Sequence, residues 1–136
     1  MANMLRLEIV TPEGTAFSEE VTMVTLPGVE GELGIYPLHV PLITQIVPGE
    51  IVAQKTSQQT FLAVGAGLVD ITGDRVAIVT DMAVAAENID EAKAEEARHR
   101  AEARLRERIS DEEIASVNAS LVRSLAQLQV KRRRRP

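Results

Sequence analysis

Residues 89–135 read IDEAKAEEARHRAEARLRERISDEEIASVNASLVRSLAQLQVKRRRR and contain no glycine and no proline. Every internal glycine and proline lies upstream, the last being Gly73. These two residue types punctuate turns and interrupt helices. The chain therefore divides into a many-turned front body, residues 1–87, and a helical back body, residues 88–136. The charge divides at the same place. Residues 1–88 carry three basic and eleven acidic side chains, net −8, whereas residues 89–136 carry twelve basic and nine acidic, net +3.

Within the back body, Asn88 stands three residues before Glu91 and Ser110 three before Glu113, the spacing of capping boxes at two helix starts. Acidic residues crowd each first turn and basic residues each end, as the helix dipole favours. Ala94, Ala97, Ala101, Leu105 and Ile109 form one stripe at helical spacing. Ile114, Val117, Leu121, Leu125 and Leu128 form another. A break at Ser110 brings the stripes together as an antiparallel hairpin. Glu96 and Arg100, and Glu102 and Arg106, stand at i,i+4 in the favourable order. An alanine stripe removes little apolar surface from water, so the hairpin's closure is worth only a few kcal/mol at ~25 cal/mol per Å². A static hairpin and one opened by a competing partner are both compatible with that weakness.

The front body alternates apolar and polar residues in short runs. Leu5, Leu7 and Ile9 alternate with Arg6 and Glu8 and end at Thr11-Pro12-Glu13-Gly14, and Val21–Leu26 ends at Pro27-Gly28. Further strands are expected near 42–47, 50–55, 59–65, 67–72 and 75–81. About ten short strands with regular turn signals indicate an all-β sandwich or barrel. Aromatics are scarce, so Val, Ile and Leu must build the core. No cysteine is present, which excludes disulfides and thiolate metal sites. The longest apolar run, Phe61–Val69, is too short to span a bilayer, and the N-terminus lacks the pattern of a signal peptide.

No catalytic constellation is visible. His39 and His99 are the only histidines and fall in different bodies, so no histidine-rich metal site is expected. Gly28-x-x-Gly31-x-x-Gly34 lacks the Lys-Ser/Thr and the following helix of a phosphate loop. Gly65-Ala66-Gly67 reads as a tight strand connection. The Lys131–Arg135 tail has three readings: a solvated terminus, a nucleic-acid contact, disfavoured by the acidic remainder and the lack of nearby aromatics, or a contact with an acidic protein surface. On these grounds the chain is a binding or structural protein, one form of which is a free-standing module gripping an acidic protein partner.

One segment is more distinctive than composition: Gly31-Glu32-Leu33-Gly34-Ile35-Tyr36-Pro37-Leu38-His39-Val40-Pro41-Leu42. It resembles the signature of the epsilon subunit of F-type, proton-translocating rotary ATP synthases. Val10–Gly14, Ala63–Ile71, Arg75–Asp81 and Ile89–Ala94 match the same family in order. The resemblance implies a non-catalytic rotor subunit at the foot of the central stalk, peripheral on the cytoplasmic face of a bacterial inner membrane or its stromal equivalent. Its implied partners are the gamma subunit, the ring of c subunits and, with the hairpin raised to inhibit ATP hydrolysis, the catalytic beta subunits with alpha. Gly31, Glu32, Gly34, Pro37, His39 and Pro41 would form the loop that meets the c-ring, with Leu38 where a glycine is common. Arg123, Arg132, Arg133, Arg134 and Arg135 would face acidic beta segments.

Some family members bind ATP in the closed hairpin through an Ile-Asp-x-x-Arg-Ala motif. Here Ile89, Asp90 and Ala94 match, but Lys93 replaces the arginine and lacks its planar fork. Arg123 is present, and Gln127 stands where another arginine is expected. Weak or absent ATP binding is the expectation, with no other cofactor.

Overall fold

The computed structural model describes residues 4–134. Ten strands come first: β1 Leu5–Thr11, β2 Gly14–Val21, β3 Met23–Gly28, β4 Gly31–Ile35, β5 Leu42–Ile46, β6 Gly49–Gln54, β7 Gln59–Val64, β8 Gly67–Ile71, β9 Arg75–Thr80 and β10 Ala83–Ala85. A 3-10 turn, Ala86–Asn88, leads into helices α1, Glu91–Leu105, and α2, Asp111–Arg133. The strands form one sheet in the order β10-β7-β6-β3-β5-β8-β9-β1-β2, with β4 paired to β3. It folds over into a nearly closed sandwich. β1 runs parallel to β9, with Ile9 beside Ile78, and the other described pairs are antiparallel.

The alternation read from sequence is the alternation observed. Leu5, Leu7 and Ile9 of β1 point inward with Val24, Leu26, Ile51, Leu62, Ile71 and Ile78 and form one apolar core. Burying such aliphatic side chains, at about 1.5–3 kcal/mol each, is the main force holding the sandwich. Gly67 permits close contact between β8 and β9, since a Cβ there would lie 2.1 Å from the Val79 carbonyl oxygen. Three strands lie where no strand was expected: β2, β4 and β10.

β7 departs from simple alternation. Leu62 and Val64 face the sandwich interior, yet the outward Ala63 is also fully buried. The cover is α2, whose C-terminal half lies along β6 and β7 while α1 packs against α2. Val130 of α2 joins Ala63 and Ile89 in a small second cluster, bordered by Met82, Val84 and Ala86.

Of the two expected helix caps, one is observed. Ser110 caps α2, its Oγ accepting the Glu113 N–H at 3.2 Å, with the Glu113 carboxylate 3.4 Å from the same hydroxyl. The cap of α1, however, is Asp90 rather than Asn88, its Oδ1 accepting the Lys93 N–H at 3.1 Å. Asn88 is consumed by the 3-10 turn, and Ile89 must stay extended to reach the Val130 cluster, so the helix starts later. Glu102 pairs with Arg98 rather than Arg106, which lies beyond the end of α1. Along α2, Leu128 is buried but Leu125 is 44% exposed and Ile114 is also exposed. Ser124, Ala126 and Val130 are buried instead, because this half of the helix is covered by α1 and the sheet together.

Candidate functional site: the underside of the helical hairpin

Val52 and Phe61 are cross-strand partners on β6 and β7, as are Glu50 and Ala63. Residues two apart on a strand share a face. Glu50, Val52, Phe61 and Ala63 thus make one outward patch beneath the end of α2. Glu50 is nearly enclosed, with its side chain 9% exposed. Arg134 grips it with a fork, Nε donating to Oε2 at 2.9 Å and Nη2 to Oε1 at 2.6 Å. Arg133 adds a longer contact from Nη1 at 3.4 Å. The Arg134 guanidinium also lies 3.9 Å from the Phe61 ring centre, a cation–π arrangement. The Glu50 carboxylate raises the Arg134 pKa, chiefly by hydrogen bonding. On the arginine's side, the stabilisation carried by a raised pKa is present at neutral pH and falls away as pH rises into strong alkali.

Beside this contact opens a cleft of about 470 Å³, lined among others by Glu32, Glu50, Phe61, Gln129, Arg133 and Arg134. Arg132 points the other way. It bonds Glu91 through Nε at 2.9 Å and Glu95 through Nη2 at 2.6 Å, tying the end of α2 to the start of α1. Arg123 reaches Asp81, after β9, at 3.3 Å. Lys131 donates to the Ala86 carbonyl at 3.2 Å. Arg104 binds Glu107 and Glu113 and closes the far end of the hairpin. The tail is therefore no solvated terminus up to Arg134; each of Arg123, Arg132, Arg133 and Arg134 is held by an acid of this chain. Arg135 lies outside the described residues. Glu50, Phe61 and Asp81 were not singled out from sequence, and nothing local to them signals a partner on a helix so distant in the chain.

The segment expected as one loop is two structures. Gly31, Glu32 and Gly34 belong to β4, with Glu32 opposite Pro27. Repeated glycines there suggested a loop, but a turn at Gly31 (φ 128°) and pairing with β3 make a hairpin. Pro37, His39 and Pro41 lie in the true loop, 36–41. Leu38 adopts φ 69°, the left-handed region where glycine is at ease, and its N–H bonds the Gly73 carbonyl at 2.6 Å. His39 Nδ1 donates to the Val40 carbonyl at 2.7 Å. Tyr36, Leu38, Val40 and Ile43 project strongly into solvent. On the adjoining sheet face, Val10, Val79 and Leu68 are also exposed, and both Val10 and Leu68 are register partners of Val79.

The residues considered for ATP line neither of the two clefts around Phe61. Ile89 and Ala94 are buried, and the Asp90 carboxylate is occupied as a helix cap. Lys93 is exposed and Arg123 is engaged by Asp81; neither lines the clefts around Phe61. Among the described residues there is no group of three or more His, Cys, Asp or Glu side chains fit to hold a metal. Nor is any helix long and apolar enough to cross a membrane.

Comparison with known proteins agrees with this architecture. Residues 4–86 match the family model "ATP synthase, Delta/Epsilon chain, beta-sandwich domain", and residues 87–132 match "ATP synthase, Delta/Epsilon chain, long alpha-helix domain". The chain is 43% identical over 131 residues to the ATP synthase epsilon chain of Herpetosiphon aurantiacus, covering 96% of both. It is 42% identical to that of Dehalococcoides mccartyi over 132 residues, 96% of this chain and 94% of the relative. A chain in the structure of Euglena gracilis mitochondrial ATP synthase, OSCP/F1/c-ring, shares the fold with a TM-score of 0.74 at 21% identity. That match covers 93% of this chain and 79% of the other.

Proposed function

Since this chain belongs to the ATP synthase delta/epsilon family, as a non-catalytic epsilon subunit, we propose that it couples c-ring rotation to ATP synthesis and uses its hairpin to restrain ATP hydrolysis. The observation that carries the second part is how little holds the hairpin down. Among the described residues, its hold on the sandwich is one small cluster around Ala63, Ile89 and Val130, supplemented by the exposed Arg123–Asp81 pair and by the Arg133 and Arg134 contacts to the nearly enclosed Glu50. Exposed pairs contribute little each. A closure of that size lies within the range that a competing surface of modest affinity can reverse.

The rotor part of the proposal draws on the surface of the sandwich. The row Val10, Val79 and Leu68 presents apolar side chains on a stiff sheet, suited to a stable protein contact, for which gamma is the expected partner. The loop carrying Tyr36, Leu38, His39 and Val40 supplies a protruding tip for the c-ring. Subunits so docked would be peripheral, on the face of the membrane that bears the catalytic head. Raised, the hairpin would present Arg123 and Arg132–Arg135 to acidic segments of the beta subunits and their alpha neighbours. The free-standing-module reading is left without support, because the relatives match over nearly the whole chain.

The test is a reconstituted ATP synthase containing this chain with a cysteine pair joining α2 to β7; the chain has no thiol of its own. Hydrolysis should be fast with the disulfide formed and inhibited once it is reduced. Equal rates in both states would refute the inhibitory role. For ATP itself, the engagement of the Asp90 carboxylate as the cap of α1 and the Lys93 replacement support weak or no binding. Micromolar saturation in a calorimetric titration of the isolated chain would overturn that reading.

A further inference from the structure

We propose that Glu50 is an internal decoy, occupying the hairpin's terminal arginines in the closed state so that closure and capture of an acidic partner compete for the same guanidinium groups. The proposal rests on the reading that the raised hairpin meets acidic protein surfaces, and deepens it by naming what restrains the hairpin.

Three consecutive arginines divide into two tasks. Arg132 binds Glu91 and Glu95 of α1, inside the hairpin, so lifting the hairpin off the sandwich does not by itself break its contacts. Arg133 and Arg134 bind Glu50 of the sandwich, so their contacts must break when the hairpin lifts. Arg134 is also the C-cap of α2, its N–H bonded to the Val130 carbonyl. The fork on Glu50 therefore fixes the end of the helix and not merely a mobile side chain. Both oxygens of the carboxylate are taken, and the Phe61 ring covers one face of the guanidinium. A planar fork on a carboxylate is the same recognition that an acidic peptide segment would offer. Glu50 imitates that partner from within.

A distinctive consequence follows: the two ends of one ion pair should give opposite phenotypes. Glu50→Gln weakens the latch but leaves the arginines intact. Arg133→Gln with Arg134→Gln weakens the latch and also removes the groups the partner needs. The experiment uses the full chain, alone and in reconstituted ATP synthase. In the isolated chain, hydrogen exchange in α2 reads opening; both variants should raise the open fraction roughly tenfold, the scale of a lost charge-assisted hydrogen bond. In the complex, Glu50→Gln should inhibit ATP hydrolysis at a concentration roughly tenfold lower than the natural chain, whereas the double arginine variant should inhibit less.

Unchanged exchange in Glu50→Gln would overturn the latch. Inhibition moving in the same direction for both variants would overturn the competition. Opening without any change in hydrolysis would overturn the inhibitory reading itself while retaining the latch. A charge swap, Glu50→Arg with Arg133→Glu and Arg134→Glu, should restore closure; failure to do so in a chain with a normal sandwich melt would also count against the latch.

Discussion

Replacing Val130 with alanine removes two methyl groups from the most enclosed point of the hairpin's contact with the sandwich. Val130 is 2% exposed and shares its cluster with Ala63 and Ile89, while the main core of the sandwich does not include it. Two buried methyls are worth ~0.8 kcal/mol each by transfer, and the residual cavity brings the loss to about 2 kcal/mol. That corresponds to a roughly thirtyfold fall in the ratio of closed to open hairpin. Hydrogen exchange resolved by mass spectrometry, over residues 126–133, measures the ratio in the intact chain. Leu125→Ala is the control, since a residue 44% exposed should change it by less than ~0.5 kcal/mol. The thermal melt of the sandwich should stay close to that of the natural chain in both. Exchange in Val130→Ala no faster than in Leu125→Ala would refute the assignment of docking to this cluster. A matching drop in the sandwich melt would refute the separation of hairpin from core.

Two further predictions concern the sandwich. Gly67→Ala would drive a methyl to 2.1 Å from the Val79 carbonyl oxygen, backbone that cannot move aside without breaking the β8–β9 pairing. A loss of about 2–4 kcal/mol in chemical denaturation is expected, and an unchanged midpoint would show that the strands are not so closely apposed. Leu38→Gly should stabilise by up to about 1 kcal/mol, because the side chain is 75% exposed and its φ of 69° is strained for leucine. A lower melting temperature in that variant would mean that Leu38 makes a packing contribution larger than its strain.

The features legible in sequence are those whose cause is local. Ser110 and Glu113 satisfy one another across a single turn, so the α2 start could be read from four residues. Strands β1, β6 and β9 bury every second residue on one side only, and alternation exposes them directly. β4 was hidden because two of its five residues are glycine and only Ile35 is fully buried. β2 was hidden because most of its residues face solvent at the sheet edge, with only Phe17 and Val21 buried. The family resemblance carried by Gly31–Leu42 did not reveal the conformation of that segment: Glu32 stands on a strand and His39 in a loop.

The hairpin's contact with the sandwich was illegible for a different reason. Glu50 and Arg134 are 84 positions apart, and the face of β7 carrying Phe61 and Ala63 looks like an ordinary outward face until α2 is laid upon it. The same contact explains the misplaced cap of α1, since Ile89 is drawn into the Val130 cluster and delays the helix to Asp90. Placing Ser124, Ala126 and Val130, rather than Leu125, against their neighbours is also its doing. One long-range docking event therefore accounts both for the misplaced cap of α1 and for the shifted buried face near the end of α2. A chain whose hairpin were permanently raised would have no such reason to keep Ile89 extended, and an Ile89→Ser substitution should accordingly loosen docking as Val130→Ala does.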